Sequence, residues 1–126
     1  MGTWDDPGMP RSNNDLVPAA YVAAGQWPQA ELIADAPASA HYGQAFARKL
    51  IRAMESTGHG TRTLSEKSGV AHTTISRLMR GRVLCDMGTV ARLEVALSAD
   101  LWPGIAAVDK VLAHRTPTAA QPTAMN

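Results

Sequence analysis

Along residues 42–54 apolar side chains recur at helical spacing. Tyr42, Phe46, Leu50, Ala53 and Met54 fall on one stripe, while Arg48, Lys49, Arg52 and Glu55 lie largely off it. The pattern predicts an amphipathic helix with Ser39 as its N-cap, ending where Gly58 and Gly60 break "STGHG". A very short helix follows in "TRTLSEKSGV". There Thr63 and Glu66 have the three-residue spacing of a capping box, and Gly69 ends the helix in the left-handed region, where a side chain costs energy. A third helix is expected over residues 72–80, with Ile75, Leu78 and Met79 at helical spacing before Gly81. A fourth starts at Asp86 as N-cap and carries Met87, Val90, Leu93 and Leu97. A fifth, in "PGIAAVDKVLAHR", places Ile105, Val108 and Leu112 on one face. No strand signal exceeds four residues, so the expected class is all-α, a compact set of five short helices between residues 40 and 115.

The flanks read differently. Residues 1–15 are rich in Gly, Pro, Asn and Asp and lack apolar periodicity, as a flexible tail does. Residues 16–36 turn apolar in patches, and Pro18 and Pro28 could each open a short helix, because proline's missing N–H is not needed in a first turn. The chain thus divides into an N-terminal arm over 1–39, a helical domain over 40–115 and a disordered tail over 116–126.

Composition narrows the class. The 126 residues are 45% hydrophobic but only 5% aromatic, so the core must be aliphatic, which suits small helices better than a β-sandwich. A single cysteine, Cys85, excludes an internal disulfide, fits a reducing compartment and reads as a small residue in or near the core. No apolar run approaches the roughly 20 residues that cross a bilayer. The polar, acidic start lacks the order of a signal peptide, and Asp6 stands where a myristoylation motif needs Ser or Thr. A cytoplasmic protein without membrane contact is expected. His41, His59, His72 and His114 have no metal spacing with one another or with Cys85, "GHG" lacks the lysine and strand of a phosphate loop, and no Ser/His/Asp arrangement stands out. No metal, no cofactor and no enzymatic activity are expected.

The net charge of +1 conceals a segregation. Residues 1–39 hold one basic against five acidic side chains, a net of −4, whereas residues 40–92 hold nine basic against three acidic, a net of +6. Seven of those nine are arginines, whose planar guanidinium suits phosphate and guanine. A solvated basic face is the plain reading; a polyanionic partner is the functional one.

The basic block contains the layout of a helix-turn-helix. Gly69 supplies the left-handed residue, Ser65 the small residue where two helices cross, and Leu64, Val70, Ile75 and Leu78 the apolar pins. His72, Thr73, Ser76 and Arg77 supply a short polar face at the start of the second helix. "TLSEKSGVAHTTISRLMRG", followed by "MGTVARLEVALSADLW", resembles the phage-repressor-like (Xre/Cro) helix-turn-helix family over roughly residues 40–102. Ala71, Ser65 and Ser98 depart from the residues usual there, which are Ser or Thr, alanine and glycine.

The resemblance implies a lambda-repressor-like DNA-binding domain and a nucleoid-associated transcriptional regulator. Such a repressor would bind a two-fold-related operator in double-stranded DNA as a homodimer. It implies base contacts from His72, Thr73, Ser76 and Arg77, and phosphate contacts from Arg62, Thr63, Thr74, Arg80 and Arg82. Arg48, Lys49 and Arg52 read rather as a solvated flank of the first helix. Candidate dimer surfaces are the C-terminal segment, with Trp102, Ile105, Val108 and Leu112, and the N-terminal one, with Tyr21, Val22 and Trp27. The competing class is a protein-binding module, an antitoxin or adaptor, that uses the same fold and takes a protein partner.

Overall fold

The computed structural model describes residues 14–108. Four α-helices dominate: α1 (Ala38–Thr57), α2 (Thr61–Ser68), α3 (His72–Met79) and α4 (Met87–Leu97). A 3₁₀ turn (Pro18–Tyr21) and a small antiparallel hairpin of β1 (Val22–Ala24) and β2 (Glu31–Leu32) precede them, and a second 3₁₀ turn (Ile105–Val108) follows.

One largely aliphatic core joins all four helices. Phe46, Leu50 and Met54 of α1 meet Leu64 of α2, Ile75 and Leu78 of α3, and Val90, Leu93 and Leu97 of α4. Val70 in the turn and Leu101 after α4 complete it. An eight-residue helix is too short to persist alone. Here α2 and α3 are held by Leu64 and Ile75, both fully buried, each of which would cost about 2–5 kcal/mol to truncate to alanine. A second face of α1 is also buried. Ala40, Gln44 and Ala47 are buried there, and Gln44 Nε2 donates to the Ala30 carbonyl of the N-terminal segment at 2.6 Å. Pro18 packs so closely on Gly43 that no side chain fits there.

Several expectations change. The chain over residues 16–36 is not an arm with two short helices. Pro18 opens a 3₁₀ turn as expected, but Pro28 lies in the hairpin loop, whose strands are only three and two residues long and pair Val22 with Leu32. The boundary expected at residue 40 falls inside α1, which starts at Ala38 behind Pro37. Ser39 is therefore not the cap; already in the helix, it donates its hydroxyl to Asp15 Oδ2 at 2.6 Å. α2 starts at Thr61 with Gly60 as N-cap, so Thr63 sits inside the first turn and the capping box with Glu66 does not form.

At the other end four α-helices, not five, are present among the described residues. The segment expected to open the fifth is a 3₁₀ turn in which Val108 is buried and Ile105 is 65% exposed, so they do not share a face; Leu112 lies outside the described residues. Met87, expected in the core stripe of α4, is 75% exposed, because it is the first residue of the helix and the buried stripe begins at Val90.

Candidate nucleic-acid interface

α2, a three-residue turn over 69–71 and α3 form a helix-turn-helix in the plain geometric sense. Gly69 takes φ +80° and its N–H closes on the Ser65 carbonyl at 2.9 Å, ending α2 as a left-handed cap. Ser68 Oγ accepts from Val70 N–H at 3.1 Å, which steadies the turn while the Val70 side chain enters the core. Ala71 is the N-cap residue of α3 and contributes no side-chain bond, so the departure at that position leaves the first N–H groups of α3 without a local acceptor side chain.

The amphipathic pattern of α3 sorts its residues cleanly. Ile75 and Leu78 are buried, Thr74 and Ser76 are half-buried, and His72, Thr73 and Arg77 are exposed. Thr73, Ser76, Arg77 and Arg80 are three or four residues apart and therefore share one side of the helix. Arg80 Nη2 donates to Ser76 Oγ at 3.0 Å, tying two of these candidates to each other. Arg62 and Thr63 are exposed in the first turn of α2, and Arg82 is exposed just after α3.

The C-terminal end of α3 is built with unusual completeness. Gly81, at φ +69°, donates to the Leu78 carbonyl at 3.2 Å, and Arg82 N–H to the Arg77 carbonyl at 2.8 Å; together these make a Schellman motif. The Met79 carbonyl is filled from outside the helix by the indole Nε1–H of Trp27 at 2.9 Å, and the Gly81 carbonyl by Ala19 N–H at 2.9 Å. The Trp27 ring packs so closely on Gly81 that a Cβ there would stand 2.5 Å from it. Arg48, expected as a solvated flank, is half-buried and donates Nε–H to the Pro28 carbonyl at 3.0 Å, pinning the same hairpin loop.

The sequence alone places Trp27 on a candidate dimer surface and Arg48 on a solvated flank and says nothing of Ala19, so the contacts these three make in the fold are what sequence reasoning missed. The one available signal was Trp27, a large aromatic in a chain with only 5% aromatic residues.

Two other features bear on chemistry. A cleft of about 310 Å³ opens between α1 and the segments after α3 and α4, lined by Tyr42, Phe46, Leu84, Cys85, Val90 and Trp102 among others. Burial and the neighbouring Asp86 carboxylate push the Cys85 thiol up to about 12, so it stays protonated and unreactive at neutral pH. Asp86 caps α4, accepting from Thr89 N–H at 2.8 Å, and that bond holds its carboxyl below the usual range. Among the described residues no group of three His, Cys, Asp or Glu side chains could hold a metal ion, and no helix is long and apolar enough to cross a membrane. Compared with family models, curated proteins and solved structures, this chain matches none.

Proposed function

We propose that the protein is a sequence-specific DNA-binding regulator that reads the major groove of double-stranded DNA with α3. The observation that carries this reading is the division of α3 into a buried half and an exposed half. Ile75 and Leu78 anchor the helix, and Thr73 and Arg77 face outward with the exposed arginines 62, 80 and 82 around them. A rigid helix with short polar and guanidinium groups at its start meets the demands of base-edge readout. Arginine takes guanine bidentately through O6 and N7, and threonine offers a methyl to thymine or a hydroxyl to other edges. His72 and Ser76 complete the base-facing set, and Arg62, Thr63, Thr74, Arg80 and Arg82 serve the phosphates.

An eight-residue helix is only about 12 Å long and reads few base pairs, so the proposed working unit is a homodimer on a two-fold-related site, acting as a repressor. Selection of bound sequences from a random DNA pool, followed by titration over a salt series, tests the reading. An enriched two-fold site is expected, with log K falling against log salt by about 0.9 per phosphate contact. Arg77→Ala should relax preference at one base pair by about 1–3 kcal/mol, while Arg80→Ala should weaken all sequences alike. No enrichment at any salt, together with a stoichiometric protein partner in pull-down, would overturn it in favour of a protein-binding module.

A further inference from the structure

We infer that Trp27 is a positioning residue for phosphate binding: the N-terminal hairpin acts as an external cap that fixes the arginines at the end of α3. The inference rests on the DNA reading above and extends it to a segment 52 residues away in the chain. A helix leaves its last carbonyls without intrahelical partners. In α3 the Schellman bonds fill those of Arg77 and Leu78, and the Met79 carbonyl receives its hydrogen bond from the Trp27 indole. Ala19 N–H then fills the Gly81 carbonyl.

The two acceptors bracket Arg80, so its backbone is held on both sides by the N-terminal segment. Arg82 leaves from the same turn, its own N–H bonded to Arg77. The segment is itself fastened to α1 through Gln44 on Ala30 and Arg48 on Pro28. Both arginines therefore start from a backbone that needs no ordering when a phosphate arrives. Pre-organisation of this kind removes the ordering cost of those two contacts; without it that cost exceeds what an exposed ion pair returns, so the phosphate contact is not made and its counterions are not released. Thr73 and Arg77 are pinned separately, through Ile75 and Leu78 in the core.

The separation gives a test that a merely structural role would not pass. Trp27→Ala, measured on folded protein below its unfolding transition, should reduce the salt slope by about 1.8 per protomer, the share of two phosphate contacts at about 0.9 each, and so by about 3.6 for the dimer. The sequence selected from the random pool should stay the same. Adding Arg80→Ala to Trp27→Ala should change the slope little further, whereas adding Arg62→Ala should remove its own share of about 0.9 per protomer in either background. If Trp27→Ala does not fold, Trp27→Phe decides, because it keeps a ring on Gly81 but removes the indole N–H; a smaller slope than wild type is expected.

A wild-type slope in the deciding variant, or full additivity of Trp27→Ala with Arg80→Ala, would overturn the inference while leaving the DNA reading intact. Failure of the unaltered protein to bind any DNA with a salt dependence would instead remove the DNA reading.

Discussion

Replacing Gly81 by alanine separates two physical effects that usually arrive together. The residue is at φ +69°, where a side chain costs about 1–2 kcal/mol. Its added Cβ would also stand 2.5 Å from the Trp27 ring, so either the indole moves, giving up its bond to Met79, or the turn shifts. Forced overpacking of this kind costs about 1–3 kcal/mol, for a total of about 2–5. Gly58 is the internal reference: it has φ +75°, and nothing lies within 4 Å of an added Cβ, so Gly58→Ala should show the backbone term alone, about 1–2 kcal/mol. On a Trp27→Ala background the cost of Gly81→Ala should fall to that same level, which gives a coupling energy of about 1–3 kcal/mol between residues 27 and 81. Urea unfolding followed by far-UV circular dichroism measures all the variants. At about 4–8 °C per kcal/mol the difference between the two glycine variants is also visible in Tm. Equal costs at Gly81 and Gly58, or a full Gly81→Ala cost that persists without Trp27, would refute the packing of the hairpin loop on the end of α3.

Ser98 ends α4 at φ +50°, exposed to solvent, so Ser98→Gly should stabilise the protein by about 0.5–1 kcal/mol in the same urea assay. Ala71→Ser supplies the missing side-chain cap of α3 and should add about 1 kcal/mol, read as a higher urea midpoint with an unchanged m-value. Asp86→Ala removes the cap of α4 and should cost about 1 kcal/mol at neutral pH. Because the folded carboxyl of Asp86 lies below its ordinary 3.8, that stability is present above this value and is lost as pH falls through the lower, folded one; the gap between Asp86→Ala and wild type should narrow there. His41 runs through desolvation: burial lowers it below the ordinary 6.5, and its Nε2 has no hydrogen-bond partner among the described residues. Folding thus favours the neutral ring, and stability should begin to fall as pH drops below 6.5, a slope that His41→Leu should remove in pH-dependent thermal melts.

What the sequence made legible follows the range of the interactions. Gly69, Ile75 and Leu78 were readable because turn chemistry and helical period are local, and each residue stands where its neighbours require it. Asp86 was readable as a cap for the same reason. Thr63 misled because Thr-x-x-Glu meets the capping-box pattern wherever it falls, and here the N-cap of α2 is Gly60, three residues earlier than the pattern implies. The hairpin was invisible to periodicity, since two strands of three and two residues cannot show alternation. Arg48 looked like a surface cation because its partner is a backbone carbonyl, which no sequence pattern marks. The contact of Trp27 with Met79 and Gly81 joins segments more than 50 residues apart, and only the folded chain brings them together. The candidate interface was therefore named from its own residues, while the element that supports its far end was not.

That support changes how the missing cap at Ala71 is understood. Seen alone, an alanine at the N-cap weakens a short helix at the end proposed to meet DNA. In the folded chain the opposite end of α3 is closed by a Schellman motif and by the indole of Trp27, and the middle is pinned by Ile75 and Leu78, so the helix does not depend on a cap at its start. An aspartate there, such as the one that caps α4, would bring a carboxylate to the surface proposed to approach phosphates and oppose it electrostatically. Glycine at the start of α2 and alanine at the start of α3 instead leave first-turn N–H groups free of a side-chain acceptor, next to the positive ends of the helix dipoles, an arrangement that favours anions. Ala71→Ser and Ala71→Asp should then stabilise the fold alike. Only Ala71→Asp should weaken DNA binding sharply, and an equal effect of the two on affinity would show that the start of α3 does not approach the DNA.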